Sequence, residues 1–132
     1  MRWWILTLTL LLAGPAAHGA DGILGVLARS QLARLDRAPL ADPASPRSRT
    51  VRTSFETLAR VLRLGHPVEL RMIQGETVAE TLQGRIVLAN ESLADLSEGE
   101  RLFILAHELG HIALRHWEQT ERLYQKLSLI HI

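Results

Sequence analysis

The stretch from residue 103 to residue 116 reads Phe103-Ile104-Leu105-Ala106-His107-Glu108-Leu109-Gly110-His111-Ile112-Ala113-Leu114-Arg115-His116. It contains the pattern His-Glu-x-x-His, with a glutamate directly after the first histidine. Residues four apart lie on one face of an α-helix, one turn above each other. His107 and His111 can therefore direct both imidazole rings at one metal ion.

The residue types in this pattern suit a hydrolytic zinc site. Zinc binds histidine nitrogens at about 2.1 Å in a tetrahedral shell, and catalytic sites keep one position open for water. Glu108 is turned about 100° from His107 on a helix, so its carboxylate can take a proton from water that zinc activates. We predict that His107 and His111 are ligands of one Zn²⁺ per chain and that Glu108 is the general base.

The residues around the motif favour a functional site over a chance pattern. They are mostly apolar and predict a buried helix, whose core candidates are Leu102, Phe103, Leu105, Ala106, Leu109, Ile112 and Ala113. Two histidines and a glutamate on a buried helix are costly unless a partner satisfies them. A metal ion is the simplest partner, and a purely structural motif is the alternative.

A catalytic zinc normally has three protein ligands, and the motif supplies two. On a continuous helix His116 is turned about 140° from His111, so we expect it to face elsewhere, in a packing or hydrogen-bonding role. His131 could reach the site only if the chain turned back, and no turn signal precedes it. His66, before a proline in a turn, is expected to be structural or on the surface. We expect the third ligand to be an acid from a later helix, beyond residue 132.

Length and composition limit the class of protein. The 132 residues fit one domain, and 15 basic residues nearly balance 14 acidic ones. No basic stripe stands out, so nothing indicates nucleic-acid binding. The chain has no cysteine, which excludes disulfides, cysteine-ligated zinc and thiol catalysis.

The N-terminus has the layout of a signal peptide, which we assign to residues 1–20. Arg2 precedes an apolar stretch over residues 3–13, a Gly-Pro pair interrupts it, and small residues follow. Cleavage after Gly19 fits best, and the mature chain would begin near Asp21 as a periplasmic or secreted protein. The apolar run is short for a bilayer, so no integral span is expected after cleavage. An uncleaved N-terminal anchor is the alternative.

The remaining sequence predicts an α+β fold. A helix capped by Asp21 covers residues 21–36, and a proline-rich linker extends to residue 49, so this helix is expected to be loosely attached. A domain then begins at Thr50 with a second helix. Three short strands with tight turns follow and predict an antiparallel meander; they cover residues 68–73, 77–81 and 85–89.

Two capping signals frame the segment before the zinc motif. Asn90 is expected to cap a short helical turn that runs through Leu96. Ser97, with Glu100 three residues later, forms the pattern of a capping box. We predict that one long helix starts there and continues through the motif at least to Trp117.

At this point the sequence resembles a known family. Ala106-His107-Glu108-Leu109-Gly110-His111, followed by Arg115-His116, is similar to the zinc motif of the HtpX and CAAX-prenyl-protease family of gluzincin metallopeptidases. Gly84 to Leu88 resembles the family's edge strand, and Ser97 to Glu100 the start of its active-site helix. The resemblance covers roughly Val61 to Arg122, and the signal peptide points to the soluble periplasmic branch.

This resemblance implies a zinc endopeptidase with a zincin-like fold, in which a small three-stranded antiparallel sheet packs on the active-site helix and an N-terminal helix. The edge strand, Arg85 to Ala89, would receive the substrate backbone by strand addition. The family's third ligand is a glutamate on a later helix, which this chain does not supply. Residues 74–83 also lack the Asn-Ala pair that commonly precedes the edge strand. With the abrupt apolar end over residues 127–132, this indicates the N-terminal portion of a longer enzyme.

Three functions are compatible with the sequence. The first, which we expect, is an exported zinc metalloendopeptidase that cleaves polypeptides in periplasmic protein quality control. The second is a non-catalytic periplasmic binding module that keeps the zinc helix as a scaffold. The third is a structural fragment without bound metal.

Overall fold

The computed structural model describes residues 22–130, apart from the side chains of Ser128 and Ile130. The predicted signal peptide, the cap at Asp21 and His131 lie outside this range. In chain order the elements are α1 (Ile23–Arg37), α2 (Pro46–Leu62), β1 (Glu69–Ile73), β2 (Ala79–Leu82), β3 (Ile86–Asn90), a 3-10 helix (Glu91–Asp95), α3 (Glu98–Ala113) and α4 (His116–Ile130). The predicted α+β class is confirmed. Within the described range, no helix combines the length and apolarity needed to cross a bilayer.

The three strands form a mixed sheet in the order β1-β3-β2. β1 and β3 are parallel, whereas β2 and β3 are antiparallel, with Thr81 opposite Val87. The predicted antiparallel meander is therefore wrong. Burial explains the order, because Val87, Leu88 and Ala89 are apolar and buried on both faces of β3, as a central strand requires. β2 is mostly half-buried and lies at the edge.

The two faces of the sheet pack against different helices. The main core lies between the sheet, α2 and α3, and it consists of Ala41, Val51, Phe55, Leu70, Met72, Val87, Ala89, Leu93, Leu105, Leu109 and Ile112. On the other face, Leu35 of α1 packs with Ile73, Leu82 and Leu88. Since alternate residues of a strand face opposite sides, α1 lies on the back of the sheet, opposite α3.

The proline-rich segment between α1 and α2 is bonded to the sheet. The main-chain N–H of Ala41 donates to the carbonyl of Met72 at 3.0 Å, and that of Gln74 donates to the carbonyl of Pro39 at 2.8 Å. These bonds satisfy main-chain groups on the outer side of β1. The loose attachment predicted for α1 is therefore wrong, because the segment that follows α1 is bonded to β1 and Leu35 of α1 is buried against the sheet.

Helix α2 begins at Pro46, earlier than the predicted start at Thr50. The hydroxyl of Ser45 accepts a hydrogen bond from the N–H of Ser48 at 3.1 Å, which caps the helix. Proline at the first helical position lacks an N–H that would need a partner there. The Ser-Pro pair, which resembles a linker in the sequence, is thus a helix start.

The predicted capping box at the start of α3 is confirmed. The N–H of Glu100 donates to the hydroxyl of Ser97 at 3.3 Å, and the N–H of Ser97 donates to the carboxylate of Glu100 at 2.9 Å. The hydrogen bond from the Ser97 hydroxyl, followed by that from the Ser97 N–H, lowers the pKa of Glu100 below its ordinary value of 4.5. Asn90 also caps the 3-10 helix, as predicted, by accepting from the N–H of Ser92.

We predict that Ser97→Ala lowers the free energy of unfolding by about 1 kcal/mol, because the first turn of α3 loses its cap. Ser97→Thr is the matched control, since threonine supplies the same hydroxyl. Urea unfolding followed by circular dichroism at pH 7 measures both variants, and equal stability of wild type and Ser97→Ala would contradict the capping role.

The same pair of variants tests the pH dependence. Because the pKa of Glu100 is lowered in the folded state, its contribution to stability is present above 4.5 and is lost as the pH falls through the folded-state pKa. The stability difference between wild type and Ser97→Ala should therefore narrow in acid. If the difference in unfolding free energy between the two stays constant from neutral pH to acid, the whole effect comes from the Ser97 hydroxyl as acceptor of the Glu100 N–H.

Candidate metal and catalytic site

Helix α3 buries one stripe and turns the motif histidines to the opposite side. The stripe is at most 5% exposed and consists of Leu105, Leu109 and Ile112. Because a helix turns about 100° per residue, His107 and His111 lie across the helix from this stripe. His107 is exposed and His111 is half-buried. The predicted burial is therefore wrong for Phe103, which is 76% exposed on the histidine side, and for Ala113, which is exposed at the end of α3.

The imidazoles of His107 and His111 approach each other as the motif predicts. Their Nε2 atoms lie 3.2 Å apart, and the rings meet edge to face at a centroid distance of 4.8 Å. Two nitrogens bound to one zinc at about 2.1 Å, at a tetrahedral angle, lie about 3.4 Å apart. The pair therefore fits two ligands of a single zinc ion.

Glu108 is held by the neighbouring strand. The hydroxyl of Thr81 donates to the Glu108 carboxylate, 2.7 Å from Oε2, and also lies 3.0 Å from the Glu108 carbonyl oxygen. Thr81 belongs to β2, so this contact ties the edge of the sheet to the motif. Glu108, His111 and Thr81 line one side of an open cleft of about 330 Å³.

The long helix that the sequence predicts through Trp117 is broken. α3 ends at Ala113 and α4 begins at His116. Between them Arg115 has a φ of +57°, in the left-handed region, and its N–H donates to the carbonyl of Ile112 at 3.0 Å. A single left-handed residue redirects the chain here, at a position where no glycine or proline signals a break.

The break brings His116 against His111. Their Nδ1 atoms lie 2.8 Å apart, and their ring centroids 5.0 Å apart. The prediction that His116 faces away from His111 is therefore wrong, because it assumed a continuous helix. The predicted hydrogen-bonding role of His116 is confirmed.

His116 does not complete the ligand set. It meets Nδ1 of His111, whereas the Nε2 atom of His111 faces His107. Among residues 22–130, no three or more histidine, aspartate or glutamate side chains are placed to hold one metal ion. The exposed ring of His66 contacts the carbonyl of Pro67 at 3.1 Å, which confirms its surface role. A third ligand beyond residue 132 stays a prediction.

The edge strand beside the site is β2 rather than the predicted strand, Arg85 to Ala89. The latter corresponds to β3, which pairs on both sides and has no free edge for a substrate. Within the described part of the chain, no strand pairs with the outer edge of β2. The predicted position of strand addition is therefore wrong.

The pairing of β2 with β3 determines which main-chain groups point outward. The N–H of Asn90 donates to the carbonyl of Val78 at 2.8 Å, so Val78 bonds toward β3 and, by alternation, Glu80 does too. The N–H and C=O groups of Ala79 and Thr81 therefore point away from β3, along the free edge. The side chain that contacts Glu108 belongs to one of these residues.

Helix α1 supports β2 from the back of the sheet. Arg34 forms an ion pair with Glu80 at an N–O distance of 2.6 Å. The side chain of Glu80 is on the opposite face of the sheet from that of Thr81. The N–H of Gln83 donates to the side-chain oxygen of Gln31 at 2.9 Å. One bond reaches β2 and the other the turn directly after it, so α1 stabilises the strand that carries Thr81.

Comparison with known proteins identifies the class of this chain. The model of Peptidase family M48 matches residues 45–132, more than half of the chain. The chain therefore belongs to peptidase family M48, the HtpX-like metallopeptidases, as its resemblance to that family implies. M48 peptidases are generally zinc metalloproteases, and membership implies polypeptide substrates. None of the curated proteins and none of the solved structures compared with the chain matches it.

Substitutions at Arg115 distinguish a broken helix from a continuous one. In the left-handed turn, glycine avoids a Cβ strain of about 1 kcal/mol, so Arg115→Gly should be at least as stable as Arg115→Ala. In a continuous helix, glycine would be about 1 kcal/mol less stable than alanine. Urea unfolding of the two variants measures the difference, and an alanine variant more stable by that amount would contradict the break.

Proposed function

We propose that the protein is an exported zinc endopeptidase, in which His107 and His111 bind Zn²⁺ and Glu108 is the general base. The observation that carries this proposal is the 3.2 Å approach of the two Nε2 atoms, next to a carboxylate in an open cleft. Membership of a metallopeptidase family supports it.

The chain's own residues have separate roles in the proposed reaction. When bound, zinc supplies a Lewis acid that activates water and polarises the peptide carbonyl. Glu108 accepts a proton from the attacking water and delivers it to the leaving amine. Thr81 engages Oε2 of Glu108 at 2.7 Å, which orients the carboxylate and leaves Oε1 for the proton.

We further propose that the substrate backbone pairs with the outer edge of β2. Ala79 and Thr81 offer outward main-chain donors and acceptors, and an extended peptide can add to such an edge as a new strand. Because Thr81 also contacts Glu108, a peptide on this edge passes the general base. Main-chain recognition of this kind suits unfolded polypeptides of varied sequence.

A zincin-like arrangement and an exported location belong to the same proposal. The zincin-like arrangement is supported by α3, which packs against a small sheet whose edge strand, β2, lies at the motif. The signal-peptide layout of residues 1–20 supports the second. The resemblance to the HtpX family supports a role in periplasmic protein quality control.

Glu108→Gln should reduce hydrolysis of casein by at least about 100-fold, because the amide cannot accept the proton, while zinc binding is kept. Glu56→Gln, at an exposed position on α2, is the matched control. Cleavage of labelled casein and zinc content by mass spectrometry measure the two properties. Equal rates for wild type and Glu108→Gln would favour the non-catalytic binding module, and wild type without zinc would favour the structural fragment.

Ala79→Pro should lower kcat/KM for peptide substrates by about 5-fold, because the loss of one main-chain hydrogen bond costs about 1 kcal/mol. Proline removes an N–H that points away from β3, so an edge strand tolerates it. Ala79→Val keeps this N–H and should cleave like wild type. A proline variant with wild-type kcat/KM would argue against strand addition at β2.

A further inference from the structure

His116 contacts His111 on the side opposite the proposed metal position. Nδ1 of His111 lies 2.8 Å from Nδ1 of His116, while Nε2 of the same ring lies 3.2 Å from Nε2 of His107. The His111 ring therefore uses one nitrogen toward His107 and the other toward His116. We propose that His116 is a positioning residue that orients His111 and selects its tautomer for metal binding. This inference rests on the proposed zinc site.

Proton placement on the two rings follows from this geometry. A metal ion on Nε2 of His111 requires that nitrogen to be free of a proton, so the proton of the neutral ring lies on Nδ1. Nδ1 of His111 then donates to Nδ1 of His116, which must accept. The proton of His116 lies on its own Nε2. One hydrogen bond thus defines the tautomer of both rings.

The polypeptide around His116 is built to keep this contact. With Arg115 at a φ of +57°, α4 restarts at His116, whereas a continuous helix would turn this residue about 140° away from His111. The hydroxyl of Thr120 donates to the carbonyl of His116 at 2.9 Å, in the first turn of α4. A non-glycine residue in the left-handed region stores strain, and such strain tends to occur at functional sites.

Helix α4 is also held at its start by the β2–β3 turn. A Cβ added at Gly84, where φ is +65°, would lie 3.4 Å from Cβ of Trp117. Trp117 therefore lies within ordinary contact distance of the turn, and the positive φ is what favours glycine at position 84. Since His116 directly precedes Trp117, this proximity places the start of α4, which carries His116, beside the β2–β3 turn.

Partners that orient the ligand histidines of metal sites contribute to affinity, and their loss typically weakens metal binding by about 10- to 100-fold. We therefore expect His116→Ala to raise the zinc dissociation constant of the full chain by that factor. His116→Asn should retain most of the affinity, because its side-chain oxygen can accept the proton from Nδ1 of His111. His66→Ala, which removes an exposed histidine outside the cluster, is the matched control and should bind zinc like wild type.

The experiment measures zinc dissociation constants for wild type and these three variants by competition with a chromophoric chelator. Long-range proton–nitrogen NMR spectra of the zinc-loaded wild type give a second readout, in which His111 should carry its proton on Nδ1 and His116 on Nε2. The inference would be overturned if His116→Ala bound zinc as tightly as wild type, or if His116→Asn bound zinc as weakly as His116→Ala. It would also be overturned if the two rings had the reverse tautomers.

The outcomes separate this inference from the proposed function. If the zinc affinities and the tautomers are as expected but the chain does not cleave casein, the positioning role is supported and the proposal of peptidase activity is rejected. Zinc binding and cleavage with no effect of His116→Ala overturn the positioning role alone. A wild-type chain that binds no zinc overturns both.

Discussion

The burial of Leu105, Leu109 and Ile112 against the sheet determines how α3 is rotated about its own axis, and the candidate site depends on that rotation. Burial of each such aliphatic side chain contributes roughly 1.5–3 kcal/mol, so the helix cannot turn without losing much of the core. With this stripe inward, His107 and His111 face outward, toward solvent and the cleft. The stability of the core thus keeps the two histidines that we propose as ligands in an accessible position.

The same rotation places Glu108 at the boundary between the buried stripe and the outward-facing histidines. There it meets the side chain of Thr81, which β2 directs toward α3. One hydrogen bond at this point couples the carboxylate to the strand whose outer edge pairs with no other strand among residues 22–130. The proposed general base and the proposed substrate edge therefore share one contact, and α1 supports the strand from behind through Arg34 and Glu80.

The turn at Arg115 adds a third histidine to the neighbourhood of the motif. A left-handed non-glycine residue costs about 1 kcal/mol, and here it takes α4 off the axis of α3. Trp117 packs near Gly84 and His116 meets His111. The approach of Trp117 to Gly84 joins residues that are far apart in the chain, so local helix preference at residues 113–117 carries no information about it.

The parts of the fold that the sequence predicted correctly are those that local chemistry decides. Helical spacing of apolar residues indicated α2 and α3, the Ser97–Glu100 capping box marked the start of α3, and period-two alternation indicated β1. The continuous apolar run of β3 also carried a usable sign of a central strand, because only a strand covered on both faces buries consecutive residues.

By itself, then, the sequence determined the His-Glu-x-x-His spacing, and with it the approach of His107 and His111, since four residues make about one helical turn. Only the tertiary structure decided the strand order, the hold of Thr81 on Glu108 and the position of His116. Each of these depends on the pairing or packing of segments that fold back on one another. Residue spacing along the chain specifies geometry within a helix or strand, whereas the free energy of burial selects among the ways in which such elements assemble.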